Sequence, residues 1–361
     1  MPTSKLFPLT CMALLLGVSS CKDEVQIREK KFTVPSTYSF DNVDYSGQIA
    51  RLDQLDEMVS YIETAIKAKD QIESEVLMEM FSNANENGGG NFSFSSSKQL
   101  SDKCFGPHVQ KVEAYFDQIE LISTSQNEAV NGVAGFSENT SGSIRLYDEN
   151  GVELSEMIEK TIMGAVFYYQ ATAVYLDNDK MNVDNETVVE GQGTAMQHHW
   201  DEAYGYLGVS NDFPASTESL RFWGKYCDRR NDLLSSNASL SEAFRMGRAA
   251  IDNKEYDLRD AAIVEVRKNW EKVCVATIIH YLNEAVDNLG DDHTRNHVLS
   301  EAYVFIESLF YNPDKIISNN ELDEVLTKIG ANFYEVSAQD LQSARDQLST
   351  IYEMDNIKSA L

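Results

Sequence analysis

Apolar residues recur every three or four positions through most of this sequence, and this helical periodicity limits the folds that the chain can adopt. The pattern is clearest between Arg51 and Phe81, before the polar run SNANENGGGNFSFSSS interrupts it. Few segments alternate with a period of two, so we expect an all-α protein with little sheet. The same spacing predicts further helices over His108–Ser123, Leu154–Leu176, Ala195–Leu207, Ser241–Asn253, Asp257–Leu289 and Asp292–Tyr311.

Helix start and stop signals agree with this interpretation. The segments Ser239–Glu242 and Ser337–Asp340 have capping-box spacing, and the dipeptide Asn312–Pro313 is a stop signal. Long helices joined by modest loops bury their apolar faces by packing antiparallel, which predicts a helical bundle or two fused bundles. An irregular N-terminal segment, FTVPSTYSFDNVDYSG, precedes the bundle, and we expect loops at 82–99, 131–153, 177–193 and 208–220.

The chain is strongly acidic. Its 361 residues include 30 Lys and Arg against 58 Asp and Glu, a formal net charge of −28 at pH 7. A field of this sign repels phosphate backbones and attracts cations, so we expect no nucleic-acid partner. Charge alone indicates a solvated acidic surface and no particular reaction.

The N-terminus has the pattern of an exported lipoprotein. Lys5 precedes an apolar run from Leu6 to Val18 that is too short, with these flanks, to span a membrane. The segment Val18–Cys21 resembles a bacterial lipobox, which implies a signal peptide over residues 1–20, cleavage before Cys21 and acyl chains on Cys21. Several acyl chains anchor a protein stably, so the lipid bilayer is an expected partner. An ordinary cleaved signal peptide is the alternative.

The next three residues, Lys22-Asp23-Glu24, resemble the tag that sends lipoproteins of Bacteroidetes to the outer face of the outer membrane. This resemblance implies a location at the outer membrane, on the cell surface of a Gram-negative bacterium. Residues 21–37 would then be a lipidated tether and residues 38–361 the helical domain. The alternative is a charged tether that carries no address.

Three cysteines follow Cys21 in the sequence, namely Cys104, Cys227 and Cys274. An odd number without C-x-x-C spacing predicts neither a disulfide framework nor a cysteine zinc site. We expect buried or free thiols.

Two ten-residue segments of the sequence are similar to each other. HHWDEAYGYL, residues 198–207, aligns without a gap with HVLSEAYVFI, residues 297–306. Both follow the pattern H-x-x-x-E-A-Y, which predicts two related helical halves, over about residues 38–210 and 211–361.

Each of these segments places a histidine and a glutamate one helical turn apart. Residues at i and i+4 share a helix face, so His198 with Glu202, and His297 with Glu301, can each ligate a cation together. We predict one site for a divalent or ferric metal ion formed by these four residues. The alternative is that each pair is a buried hydrogen-bonded pair that only secures its helix.

Other side chains near the two pairs are expected at the rim of the site or behind its ligands. His280 also has a glutamate one turn away, and His293 precedes His297 by one turn. Arg51 and Arg267 are candidate buried partners of the acidic groups, with exposed helix charges as the alternative. The candidate rim residues are His199, Trp200, Asp201, Tyr204, His280 and His293.

At these residues the chain resembles imelysin-like proteins. The segment His199–Glu202 fits the His-x-x-Glu part of the Gly-x-His-x-x-Glu motif of that family, although Gln197 occupies the Gly position. The segments RLDQLDEM, GAVFYYQAT, HVLSEAYVFI and the leader more closely resemble an uncharacterised helical lipoprotein family of Bacteroidetes related to imelysins, over about residues 38–352. The resemblance implies a two-repeat helical bundle linked to iron uptake, with a metal or ligand site between the repeats.

Three functions are compatible with these observations. The first is a surface lipoprotein that binds a transition metal or an iron-bearing ligand for uptake, together with an outer-membrane receptor. The second is a metal-dependent hydrolase, with Glu202 or Asp201 as general base beside a metal-bound water. The third is a ligand- or glycan-binding scaffold in which Trp200, Tyr204 and Tyr206 line a cleft. The sequence has no H-E-x-x-H, G-x-S-x-G or P-loop signature, so we expect no enzyme of those classes.

Overall fold

Thirteen α-helices, with short 3₁₀ and π-helical stretches and one hairpin, form the regular structure of residues 32–361, the part of the chain that the computed structural model describes. The predicted all-α class with little sheet is confirmed. The helices are α1 (Ser46–Ala68), α2 (Ser74–Ser82), α3 (Gly106–Ser123), α4 (Leu154–Ile162), α5 (Asn178–Met181), α6 (Ala195–Gly205), α7 (Trp223–Arg229), α8 (Asn231–Leu234), α9 (Ser236–Asp252), α10 (Tyr256–Asp287), α11 (Asp292–Ser308), α12 (Asn319–Ile329) and α13 (Ala338–Ile351). The strands β1 (Gly135–Glu138) and β2 (Ile144–Tyr147) pair antiparallel.

The core is built around the 32-residue helix α10, which packs against α9, α11 and α13. Trp270 on this helix is completely buried, and so are Trp200 on α6 and Trp223 on α7. Residues from Val34 to Leu361 form one compact unit. The proposed internal repeat stays a prediction.

One continuous helical segment runs from Leu154 to Tyr175, as the periodicity predicts. It begins as α4 and continues through two π-helical stretches, Met163–Tyr168 and Gln170–Tyr175. Such wide turns are rare in proteins. They rotate the positions of the later side chains about the helix axis. A Cβ on Gly164 would lie 2.2 Å from Ser308 Oγ, so this segment and α11 approach too closely for a larger residue.

The predicted single helix over Arg51–Phe81 is wrong, because the chain breaks between α1 and α2. Lys69 adopts the left-handed conformation, with φ 56° and ψ 35°, and its N–H donates to the Ile66 carbonyl at the end of α1. The Ile72 N–H then donates to Ser123 Oγ of α3 at 2.9 Å. This C-cap and the contact with α3 override the apolar periodicity.

Three further boundaries test the sequence interpretation. The predicted loop 131–153 contains the β1–β2 hairpin, and α9 starts at Ser236, so Ser239 lies inside the helix and does not cap it. Ser337 does cap α13, accepting from the Asp340 N–H at 3.1 Å. The helical segment that includes α11 ends at Tyr311, before the predicted stop. No periodicity predicted α5, α7, α8 or α12, which have at most 11 residues each.

The predicted signal peptide, the lipidation site Cys21 and most of the tether lie outside the described residues and stay predictions. Among residues 32–361, no helix combines the length and apolar character that a membrane crossing needs. Cys104, Cys227 and Cys274 are buried free thiols, as predicted.

The contact between α6 and α9 predicts that Gly247→Ala destabilises the protein. A Cβ at Gly247 would lie 2.0 Å from the Trp200 ring, whose Nε1 donates to the Phe244 carbonyl at 3.0 Å. Overpacking of this kind costs about 1–3 kcal/mol, which exceeds the helix propensity gained from Ala. Urea unfolding should show this loss. Gly290→Ala is the control, since no atom lies within 4 Å of its Cβ position. Equal stability of the two variants would contradict the predicted close contact.

Candidate metal centre

The two histidine–glutamate segments are both helical, as predicted, but they do not converge on one site. α6 packs against α1, α9 and the π-helical stretch Gln170–Tyr175, whereas α11 packs against α4 and α10. Among residues 32–361, only Glu153, Glu156 and His297 bring three His, Cys, Asp or Glu ligand atoms within 4.8 Å of one another. The predicted four-residue site is therefore not formed, because its two helices have different neighbours.

The start of α6 explains the departure from the imelysin-like motif. Thr194 caps the helix by accepting from the Gln197 N–H at 3.2 Å, and the Gln197 side chain accepts from the Thr194 N–H at 2.7 Å. Gln197 thus completes a capping box that a glycine could not form.

Glu202 is a well-partnered carboxylate on α6. It lies 3.1 Å from His199 Nδ1 and 4.0 Å from His198 Nε2, and it accepts from Gln48 Nε2 at 3.1 Å. Burial would raise the pKa of Glu202, but the hydrogen bond from His199 and the nearby His198 outweigh it, and the pKa is lowered. The i, i+3 partner His199 is therefore closer than the i, i+4 partner His198 that the sequence favoured.

Three of the predicted rim residues on α6, Trp200, Asp201 and Tyr204, are in the core. Trp200 and Tyr204 are buried, and so is Tyr206, so these rings do not line the open cleft of the scaffold hypothesis. Asp201 is fully buried, where it accepts from Tyr38 Oη at 2.6 Å and pairs with Arg248 Nε at 3.0 Å. Because Asp201 is fully buried, it cannot reach a metal-bound water, which removes it as the general base of the hydrolase hypothesis.

Asp201 also illustrates how burial acts on a charged group in this core. Desolvation raises its pKa to about 7, even though Arg248 and the Tyr38 hydroxyl act in the opposite direction. Because Asp201 on α6 pairs with Arg248 on α9, it holds these two helices together.

The remaining predicted rim histidines are separate from α6. His280 lies 3.6 Å from Glu284, at the predicted spacing, and 2.8 Å from the Leu361 carbonyl. His293 is buried, with Nδ1 2.9 Å from Ser137 Oγ and Nε2 accepting from Arg145 Nε at 3.1 Å. His293 thus holds Arg145, which in turn contacts His297. This is the position predicted for a group behind the ligands.

Arg51 and Arg267 are both buried, as the sequence allowed, but their main partners are backbone carbonyls. Arg51 donates to the carbonyls of Gln99 at 2.7 Å and Gly47 at 3.1 Å. Arg267 donates to the Thr172 carbonyl at 2.8 Å and also pairs with an aspartate of the loop after α11. Neither arginine pairs with the predicted glutamates.

The cluster around His297 forms where the N-terminus of α4 meets α11. Glu153 is the N-cap residue of α4, and its N–H donates to Ser300 Oγ at 2.8 Å, which fixes α4 on α11. His297 Nδ1 lies 2.9 Å from Glu153 Oε2 and 3.9 Å from Glu156 Oε1. The exposed fractions of the side chains are 5% for Glu153, 16% for Glu156 and 21% for His297, so the cluster is largely removed from solvent.

A buried lysine neutralises the inner part of this cluster. Lys160 Nζ lies 3.0 Å from Glu156, 2.8 Å from Glu159 and 3.2 Å from Glu301. Glu156 Oε2 nevertheless accepts no aligned hydrogen bond although it is buried. The predicted ligand Glu301 is therefore an ion-pair partner of Lys160.

Arginine 145, on β2, neutralises the outer part. Its Nη1 lies 3.1 Å from Glu153 Oε2 and also contacts His297 Nδ1. One imidazole nitrogen cannot both donate to Glu153 and accept from Arg145. Four carboxylates and two basic side chains leave two negative charges in the cluster before any proton is bound.

Burial and the neighbouring charges make Glu156 a much weaker acid than Glu301. Burial raises the pKa of Glu156 to about 8, against the effect of Lys160. Burial would also raise the pKa of Glu301, but Lys160, His297 and hydrogen bonds from Tyr281 and Glu156 lower it to about 2. At neutral pH, Glu156 therefore carries the proton and Glu301 the charge.

The pKa shifts of Glu153 and His297 favour an ion pair between them. Burial would raise the pKa of Glu153, but the hydrogen bond and charge of His297, together with Arg145, lower it. Burial would lower the pKa of His297, but the Glu153 carboxylate raises it.

The cluster opens into a cleft of about 340 Å³ between α1, the hairpin and the first turns of α4. Ile62 and Ile66 form one wall, and Arg145, Glu153 and Glu156 form the other. A small ion can therefore reach the carboxylates from this cleft.

Sequence reasoning missed Glu153 and Glu156, which lie at the end of a predicted loop and the start of a predicted helix. Their i, i+3 spacing at a helix start was the available signal, because carboxylates are favourable near a helix N-terminus. Nothing in the sequence pattern indicated that β2 would bring Arg145 beside them.

A protein-family model described as "Domain of unknown function (DUF4856)" matches residues 35–354. No curated protein and no solved structure matches the chain.

The raised pKa of Glu156 predicts a pH dependence of stability. Between the unfolded value of 4.5 and about 8, the folded state holds a proton that the unfolded state loses, so this contribution to stability falls as pH rises. Glu156→Gln mimics the protonated carboxyl and should gain about 1–2 kcal/mol relative to wild type between pH 6 and pH 7.5. Urea unfolding in EDTA measures this difference. Glu63→Gln, at an exposed carboxylate of the same cleft, is the control and should show no such trend. A constant difference between Glu156→Gln and wild type would contradict the assignment of the proton.

Proposed function

We propose that the chain, which belongs to the family described as "Domain of unknown function (DUF4856)", binds a divalent or ferric metal ion. The proposed ligands are Glu153, Glu156 and His297. The observation that carries the proposal is the convergence of three ligand atoms within 4.8 Å from α11 and the start of α4. Two carboxylates and one imidazole suit first-row transition metals and do not choose among them.

The charge of the cluster supports this proposal. Once Glu156 is deprotonated, the cluster has two uncompensated negative charges that attract a cation, and the acidic chain adds to that attraction. Glu156 must lose its proton to ligate, so metal binding should release a proton and strengthen as pH rises towards 8. Arg145 would give up its contact with His297 when the ion enters, which removes the conflict at Nδ1.

The structure around the ligands supports a preorganised site. Glu153 is held through its N–H by Ser300, and Arg145 is held by His293, which in turn contacts Ser137. Ser137 and Arg145 face each other across the hairpin. Residues that hold ligands in this way typically change metal affinity by about 10–100-fold when they are mutated.

We further propose that the protein acts at the outer membrane, on the cell surface, as a lipoprotein of the metal-uptake type. The lipobox-like segment ending at Cys21 and the following Lys-Asp-Glu tag support the location. The His-x-x-Glu segment on α6 supports a relationship to imelysin-like proteins. An outer-membrane receptor would be the partner that takes the metal.

Metal titration of purified protein tests the site. Zn²⁺, Mn²⁺ or Fe²⁺ should bind wild type with one ion per chain and raise its stability by about 2.7 kcal/mol at a hundredfold excess over Kd. His297→Asn should weaken binding at least about tenfold in calorimetry, because it removes one ligand.

His198→Asn is the matched control for this titration, since it alters the other i, i+4 histidine and should leave the metal affinity unchanged. Absence of metal binding by wild type would contradict the proposed function. Loss of binding in His198→Asn alone would assign the metal to α6.

Cys21→Ser tests the proposed anchoring separately. Without the sulfur that accepts the acyl chains, the protein should leave the membrane fraction, since stable anchoring requires those chains. Membrane fractionation and detergent partitioning measure this. A Cys21→Ser protein that still partitions with membranes would exclude the lipobox interpretation.

A further inference from the structure

A second candidate site lies between α1 and α6, where two cavities of about 150 Å³ and 520 Å³ adjoin. Lys103, His198 and Glu202 line both cavities and form the boundary between them. None of the residues that line the acidic cleft lines either cavity. The two sites are therefore separate.

The smaller cavity, unlike the acidic cleft, is rich in basic side chains. Arg51, Lys98 and Lys103 line it together with the first turn of α1. Among residues 32–361, no carboxylate lies within 4.0 Å of any of these three basic groups, in a chain with almost twice as many acidic as basic residues. Arg51 is held by backbone carbonyls, and Lys103 Nζ donates to Tyr175 Oη at 3.0 Å.

The two carboxylates of the smaller cavity are committed to other groups. Glu202 accepts from Gln48 and His199, and Asp44 accepts from the Ser46 N–H at 2.9 Å. The three basic groups against these two carboxylates leave one net positive charge in the lining of the smaller cavity. Consistent with this excess, burial and the neighbouring Arg51 lower the pKa of Lys103 despite the opposite effect of Glu202.

One buried polar atom beside the cavity also lacks a partner, since His198 Nδ1 is buried and makes no hydrogen bond. The hydroxyl of the fully buried Tyr206 lies beside Arg51 and Gln48, which both line the smaller cavity. Buried polar atoms without partners are rare in proteins and indicate a place where a bound group completes the hydrogen bonds.

We infer that this pair of cavities binds an organic ligand with an oxyanion head group, a carboxylate or a phosphate. The head group occupies the smaller cavity against Arg51, Lys98 and Lys103, which supply charge-assisted hydrogen bonds. The rest of the ligand occupies the larger cavity, beside Tyr169, Val174 and Tyr175. The volume of this cavity lies in the range of small-molecule sites. The same basic groups repel a metal ion, which disfavours a cation at the His198–Glu202 pair.

Calorimetric titration of the full chain, stripped of metal with EDTA and then dialysed free of it, tests the inference without involving the metal site. The probes are inorganic phosphate, phenyl phosphate and benzoate at matched ionic strength. Lys98→Met, at an exposed lysine, and Lys103→Met should each weaken binding about tenfold, which is the effect of one charge-assisted hydrogen bond. Lys67→Met, in the acidic cleft, is the matched control and should bind as wild type does.

Phenyl phosphate should bind more tightly than inorganic phosphate, because its ring enters the larger cavity. Binding of the phosphates but not benzoate assigns a phosphate head group, and binding of benzoate alone assigns a carboxylate. The inference is overturned if wild type binds none of the probes at millimolar concentration, or if Lys98→Met, Lys103→Met and Lys67→Met all bind equally well.

Discussion

The ammonium group of Lys160 determines how α4 and α11 meet, and the candidate metal centre depends on that contact. Only 6% of this side chain is exposed, and three carboxylates lie within 3.2 Å of its Nζ. A charge removed from water costs several kcal/mol unless it keeps its partners. Glu156 and Glu159 on α4 must therefore face Glu301 on α11, and the π-helical continuation of α4 then passes close to the same helix at Gly164.

A buried ion-pair group of this kind is a poor way to stabilise a protein, because apolar residues of similar volume often do so equally well. Its presence is better explained by a requirement for charge at this position. Lys160 and Arg145 supply positive charge to carboxylates that would otherwise repel one another. In the proposed function a metal ion takes over part of that task. The basic cavity between α1 and α6 has the opposite polarity, so one acidic chain can offer separate sites to a cation and to an anion.

The sequence predicted the parts of this structure that depend on local patterns. The helices α6, α10 and α11 follow from apolar periodicity, and the cap at Ser337 follows from the hydrogen-bonding reach of a serine side chain. The i, i+4 spacing of histidine and glutamate drew attention to His297, which lies in a polar cluster and whose role as a metal ligand stays a prediction. The sequence did not reveal its partners, because Glu153, Glu156 and Arg145 reach it through contacts between distant segments.

The same limit explains the errors. The left-handed Lys69 ends α1 although the apolar spacing continues, and Asp201 is drawn into the core by Arg248, which lies on a different helix. The similarity of the segments at 198 and 297 indicated two similar sites. In the structure one of these segments borders a basic cavity, and the other contacts Glu153, which lines the acidic cleft. The charges around each segment come from other elements.

Anomalous diffraction from crystals of the protein grown with Zn²⁺ or Mn²⁺ would test the central claim most directly. The account predicts one strong anomalous peak within coordination distance of Glu153, Glu156 and His297, with Arg145 moved away from His297. A peak beside His198 and Glu202, or no peak at the α4–α11 cluster in metal-loaded crystals, would contradict it.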